Sequence, residues 1–194
     1  MPPPTARPHR RAPLTALLAA LAAGASAGAG PGPAGPLPDE LAATGLYDAD
    51  GRIAAGLVEF SPQYPLWTDG AAKRRWISLP AGSTIDAADP DAWQFPPGTR
   101  LWKEFAAGRR LETRMIERGA DGGWRFAAYV WNEAGTEARL APAGGLTLEG
   151  VAGMPGGRYR VPSQADCVAC HEAAPTPVLG FGALQLSADR DPLA

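Results

Sequence analysis

The sequence predicts a mainly β protein, an antiparallel sandwich or a small barrel, that ends in a short helix. Aromatic and β-branched residues recur from Leu57 onward, and turn sequences such as PAGS (80–83), PPGT (96–99) and ADGG (120–123) interrupt them. No long segment carries an apolar stripe with the 3.6-residue period of a helix. Strands linked by tight turns, without intervening helices, favour antiparallel pairing over alternating βαβ units.

The N-terminus has the order of a secretory signal peptide. Arg7, Arg10 and Arg11 precede an apolar stretch over 12–23, and small residues follow as far as Ala27. The apolar stretch is shorter than the roughly 20 residues that a bilayer core demands. We therefore expect general secretion with cleavage after Ala27 rather than a membrane anchor, and a periplasmic or secreted mature protein.

Four regions follow along the chain. The signal peptide over 1–27 precedes a flexible lead-in over 28–56, in which Gly, Pro and Ala leave few large side chains to offset the entropy of ordering. A β-rich domain over 57–160 and a C-terminal segment over 161–194 complete the chain. No segment after the signal is long and apolar enough to span a membrane.

The charge balance limits the classes of partner. The chain has 18 Lys and Arg against 20 Asp and Glu, a formal net charge of −2. Loss of the signal arginines makes the mature chain more acidic, which argues against nucleic acid or an anionic membrane surface as a partner.

The clearest strand is Trp124–Trp131, with the sequence WRFAAYVW. Large side chains fall on both of its faces, because Phe126 and Val130 alternate with Tyr129 and Trp131. This pattern predicts a central strand that is covered on both sides.

A second strand over 111–118 is predicted to have one inward face. Leu111 and Met115 point inward together with Thr113. Glu112 and Arg114 are expected to face solvent. The segment over 100–105 alternates similarly and is predicted to pair with this strand across a turn at Ala107-Gly108. Weaker strand patterns cover residues 74–79, 137–140, 146–149 and 158–161.

A short helix is predicted over 163–172, with the sequence SQADCVACHE. Ser163 is the expected N-cap, and Asp166 three residues later gives an arrangement like a capping box. Pro175 and Pro177 prevent the helix from continuing.

This helix carries the one strong functional motif, Cys167-Val168-Ala169-Cys170-His171, the C-x-x-C-H signature of c-type haem attachment. Residues three apart lie on the same side of a helix, so both sulfurs can reach the haem vinyl groups. His171 follows at once and is the expected proximal ligand of the haem iron. The predicted cofactor is therefore one haem c, bound through Cys167 and Cys170.

Three other interpretations of the cysteines compete with haem attachment. A thioredoxin-like site needs a preceding strand and a long following helix, which the prolines prevent. A structural zinc site needs four ligands, and the only other histidine is His9 in the signal. A plain local disulfide is possible without haem maturation, but it gives no role to His171.

The distal iron ligand is a separate question. Met154 lies in the glycine-rich sequence GMPGG (153–157), where a flexible loop would present its thioether to iron, and it is weakly preferred over an open or water-bound site. Met115 has an inward strand position that favours core packing. Met115, Lys103 or a residue beyond the end of this sequence are the alternatives to Met154.

Several segments together resemble a family of bacterial exported c-type haem proteins. These segments are YPLWTDGAAKRRWISLP (64–80), WQFPPGTRLWKEF (93–105), RLETRMIER (110–118), YVWNEAGTEARL (129–140) and VPSQADCVACHE (161–172). The resemblance implies a β-rich domain that leads into a first C-x-x-C-H, often followed by a second haem segment. Since this sequence stops at Ala194, it is either a single-haem version or truncated before that second motif.

The expected function is electron transfer in the cell envelope through one covalent haem, with a redox partner protein. The rival is a haem enzyme with an open distal site, peroxidase-like or oxidase-like, and a third alternative is a binding module that never receives haem. Arg109-Arg110 and Arg74-Arg75 are candidate contacts for the haem propionates, although exposed strand arginines are more often only solvated. Asp69, in the same way, is more often a turn residue than an acid catalyst.

Overall fold

The computed structural model of the chain describes residues 35–187. The predicted signal peptide and the start of the predicted lead-in lie outside the described residues, as does the end of the C-terminal segment. In chain order the elements are β1 (Val58–Glu59), β2 (Ala72–Ser78), β3 (Arg100–Ala107), β4 (Arg109–Arg118), β5 (Trp124–Trp131), β6 (Ala138–Leu140), β7 (Leu146–Leu148), β8 (Tyr159–Val161) and α1 (Gln164–His171). Short 3₁₀ helices cover Leu41–Thr44 and Pro155–Gly157.

The predicted mainly β fold is confirmed. Strands β1 to β6 form one antiparallel sheet in chain order, and β7 and β8 form a small second sheet, an arrangement consistent with a sandwich. Within residues 35–187 the large sheet does not close into a barrel. Strand β5 has the predicted bounds, and β3 pairs with β4 across Gly108, whose φ of 67° suits glycine. Strand β1 was not predicted, because two residues carry no readable alternation.

The two faces of the large sheet belong to different apolar clusters. The first, called here the N-terminal face, carries Trp76, Trp102, Met115 and Tyr129, all almost fully buried. The second, called here the helix face, presents Phe105 and other apolar residues of the same strands to the small sheet and the C-terminal segment. The prediction that β5 is covered on both sides is therefore confirmed.

The N-terminal segment from residue 36 differs from the flexible lead-in predicted over 28–56. Leu41 is 1% exposed and Leu46 is 0% exposed, and both pack into the cluster on the N-terminal face. Thr44 accepts a hydrogen bond from the indole Nε1 of Trp102 at 3.0 Å. The prediction is corrected for the described part of this region, because a few well-placed side chains bury enough apolar surface to order a chain rich in small residues.

A β-bulge in β4 changes which residues the helix face receives. Ala106 pairs with Arg110 and Phe105 pairs with Glu112, so Leu111 is the extra residue of the bulge. Leu111 consequently joins the same cluster as Phe105, away from the N-terminal face. Glu112 was predicted to face solvent, and the structure corrects this, because Glu112 is 0% exposed beneath the small sheet.

Candidate haem attachment site

Helix α1 begins as the sequence predicts. The Ser163 hydroxyl accepts a hydrogen bond from the Asp166 backbone N–H at 3.1 Å, and the Ser163 backbone N–H donates to the Asp166 carboxylate at 2.9 Å. The capping box is therefore confirmed. The Gln164 side chain donates to the Phe126 carbonyl oxygen at 2.9 Å, which ties the first turn of α1 to β5.

The two cysteines of α1 are free thiols. Cys167 is buried against the sheet, whereas Cys170 is exposed. Burial is the main cause that raises the pKa of Cys167, so this thiol is protonated at neutral pH. The helix thus presents one sulfur toward the protein and one toward solvent, three residues apart.

His171, the last residue of α1, is held in one tautomer. Its Nδ1 lies 2.6 Å from the Pro177 carbonyl oxygen, and since a carbonyl can only accept, Nδ1 carries the proton. Burial is the main cause that lowers the pKa of His171, with Lys103 and Arg114 lowering it further. The ring is therefore neutral at neutral pH, with the lone pair of Nε2 available to bind a metal.

Phe126 supports the imidazole from the sheet. The two ring centroids are 5.0 Å apart with an interplanar angle of 39°, and Phe126 is 5% exposed on β5. Together with the Pro177 carbonyl, this contact restricts the orientation of His171. Sequence reasoning missed both, because a backbone acceptor and a cross-element ring contact leave no motif.

A row of cations crosses the helix face next to this site. Arg75 on β2 pairs with Lys103 on β3, which pairs with Arg114 on β4, so three positive side chains lie on neighbouring strands of one face. Arg75 is only 7% exposed. Burial and the neighbouring cations lower the pKa of Lys103 to about 8.

The carboxylate of Glu112 on β4 lies beside this row of cations. Arg114 donates to Glu112 Oε1 from Nε at 2.6 Å, and the Tyr159 hydroxyl donates to the same oxygen at 2.8 Å. Oε2 is buried without a hydrogen-bond partner among the described residues. Burial is the largest influence on this group and raises the pKa of Glu112, although Arg114 opposes it. Of the three cations in the row, only Arg114 bonds Glu112 directly, and Lys103 interacts with its charge without a hydrogen bond.

The two methionines considered as distal iron ligands, Met154 and Met115, lie in two different apolar clusters. Met154 is 7% exposed and packs with Val151 and Tyr159, so it is a buried residue rather than part of an open flexible loop. Met115 lies in the cluster on the N-terminal face, across the sheet from α1. The core interpretation of Met115 agrees with this position.

Three other polar residues were predicted as possible site or turn residues, namely Arg74, Arg110 and Asp69. Arg74 forms an exposed ion pair with Glu59, and Arg110 stacks on Trp131 on the N-terminal face. Of the arginines proposed to contact propionates, these two therefore point away from α1. Asp69 has a φ of 51° in a turn, which agrees with the turn interpretation.

The described residues contain no cluster of side chains that identifies a metal site. Within residues 35–187, no group of three His, Cys, Asp or Glu side chains could hold a metal ion, so a zinc site would need ligands from elsewhere. None of the helices that the structure describes is long and apolar enough to cross a membrane. Comparisons with family models, curated proteins and solved structures found no match to the chain.

Proposed function

We propose that the chain is a c-type haem protein of the cell envelope that transfers electrons through one haem bound to Cys167, Cys170 and His171. The observation that carries the proposal is the hydrogen bond from His171 Nδ1 to the Pro177 carbonyl oxygen. Histidines that bind metals usually donate their other ring N–H to a carbonyl or carboxylate, which fixes the tautomer and orients the ring.

The donor set fits a haem c. Two unpaired thiols lie three residues apart on one helix, and the neighbouring imidazole is neutral with its Nδ1 proton engaged. A bound haem supplies a one-electron Fe(III)/Fe(II) couple. The chain's own contribution is to hold the imidazole against Phe126 and to leave the side of α1 at Cys170 open to solvent, where a redox partner protein can approach.

Haem staining tests the attachment. The full chain, produced with c-type haem maturation machinery, is expected to give a haem-stained band on a denaturing gel. The double variant Cys167→Ala/Cys170→Ala is expected to lose the stain. Val168→Ala, which changes an exposed residue between the cysteines, is the matched control and should keep it. An unstained wild-type band would overturn the proposal and favour a binding module without haem.

A haem enzyme with an open distal site is the second candidate, and the burial of Met154 favours it. A thioether packed in an apolar cluster must leave that cluster to reach iron, whereas an open site needs no such rearrangement. Carbon monoxide binding to the reduced protein separates the two functions. Ready binding together with a high-spin ferric spectrum indicates the enzyme; a low-spin spectrum whose red charge-transfer band is lost in Met154→Ala, but kept in Met115→Ala, indicates Met154 ligation and the carrier.

Export completes the proposed function. The signal peptide over 1–27 lies outside the described residues, and its removal is part of the proposal because c-type haem is attached after translocation. The mass of the mature protein from its bacterial host should correspond to a chain beginning at Gly28 with one haem attached. An intact N-terminus in the cytoplasm would contradict the proposed periplasmic or secreted location.

A further inference from the structure

The row Arg75, Lys103 and Arg114 is an unusual arrangement for a sheet. Like charges placed directly opposite each other on neighbouring strands repel, and burial increases the cost because water screens them less. Arg75 pairs directly with Lys103 and Lys103 directly with Arg114, so the row contains two repulsive cross-strand pairs. Lys73, two residues before Arg75 on β2, adds a further positive charge that lowers the pKa of Lys103.

The described residues neutralise this row only in part. Glu112 bonds Arg114, but within residues 35–187 neither the Arg75 guanidinium nor the Lys103 ammonium has a carboxylate or carbonyl partner. Lys103 instead contacts the ring of Phe105 at 4.9 Å from its centroid. By contrast, Arg74, which neighbours Arg75 but points to the opposite face, is paired with Glu59 at 2.8 Å.

The Lys103 and Arg114 end of the row lies near the haem motif. Arg114 acts electrostatically on Cys167, and both Lys103 and Arg114 act on His171. The row continues across the sheet to Ala128 on β5, the strand against which α1 packs. An anion that neutralises the row would therefore lie beside the attachment helix. A haem carries such anions itself, since its porphyrin has a pair of propionate carboxylates.

We infer that Arg75 and Lys103, with Arg114 at the end of the row, hold the propionate carboxylates of the haem. This inference rests on the proposed function, because it needs a haem attached to α1. Proteins keep locally unfavourable arrangements mainly where function uses them, and a row of three cations with a single carboxylate partner suits an anionic cofactor edge. A guanidinium can bind a carboxylate through two parallel N–H donors, and an ammonium adds a point charge.

The test compares holoprotein variants that remove one positive charge each. Lys103→Met and Arg75→Met remove a cation of the row, and Arg74→Met removes the neighbouring cation on the other face as the matched control. Two quantities are measured, namely the reduction potential and the carboxylate signals in infrared difference spectra between the oxidised and reduced states. Lys103→Arg, which keeps the charge, is included to separate charge from packing.

Lys103→Met and Arg75→Met are expected to shift the carboxylate signals and to lower the potential by more than Arg74→Met, because loss of a nearby cation favours the ferric state. Lys103→Arg should resemble the wild type. Equal behaviour of all three Met variants, or equal loss in Lys103→Arg, would overturn the inference. A change from low to high spin in Lys103→Met would overturn it as well, because Lys103 would then be an iron ligand. Absence of haem from the wild type would instead refute the proposed function.

Discussion

Replacing Leu46 with alanine tests whether the N-terminal segment is part of the folded domain. Leu46 is 0% exposed and packs in the cluster that contains Trp76 and Trp102. A buried Leu→Ala change costs about 2–5 kcal/mol, and the rigid indole rings around this site leave little room for collapse, which favours the upper part of that range. A chain of this size loses about 2–4 °C in Tm per kcal/mol, so a cost of about 3–5 kcal/mol corresponds to a fall of about 6–20 °C.

The measurement is thermal and urea unfolding of the purified holoprotein, followed by far-ultraviolet circular dichroism and tryptophan fluorescence. Leu184→Ala is the control, because Leu184 is 67% exposed and its truncation should change the free energy of unfolding by no more than about 0.5 kcal/mol. A mobile lead-in would make the two variants equivalent. If Leu46→Ala unfolds within about 0.5 kcal/mol of the wild type, the packing described for this segment is wrong.

Three further substitutions test local features by urea unfolding. Gly145→Ala places a methyl group 2.6 Å from the last carbonyl oxygen of β8. Gly150 has a similar positive φ, but a methyl group there would meet nothing within 4 Å, so Gly150→Ala is the control. Gly145→Ala should therefore lower the free energy of unfolding by about 1–3 kcal/mol more than Gly150→Ala. Ser163→Ala removes the helix cap and should cost about 0.5–2 kcal/mol, while a change below that range would argue against the cap. The indole N–H of Trp131 donates a buried hydrogen bond to the Thr113 hydroxyl at 3.0 Å. Thr113→Val removes this acceptor and should lower the free energy of unfolding by about 1–3 kcal/mol. Thr113→Ser keeps a hydroxyl and should largely avoid that loss.

The strands and the helix could be predicted because their signals are local. Alternation alone predicted the bounds of β5, and the spacing of Ser163 and Asp166 predicted the capping box. The segment before β1 could not be predicted in the same way, because its order depends on Leu41 and Leu46 meeting a sheet that is distant in sequence. Composition describes what a segment can bury by itself, whereas the free energy that orders this segment comes from its contacts with residues far along the chain.

Long-range packing and strand register explain why the sequence could not reveal the polar surroundings of the haem motif. Alternation correctly puts Glu112 on the face opposite Met115, but it cannot show that the small sheet covers that face, where Tyr159 bonds the carboxylate. The extra residue in β4 adds Leu111 to the same face. The position of Lys103 is equally hidden, because its meaning depends on the register that places Arg75 and Arg114 on either side of it. The motif on α1 was readable since three ligands lie within five residues, but the charges that would set the properties of a bound haem come from strands paired at a distance. A motif therefore predicts which cofactor can be attached, and the register of the sheet determines the electrostatic environment that the cofactor would meet.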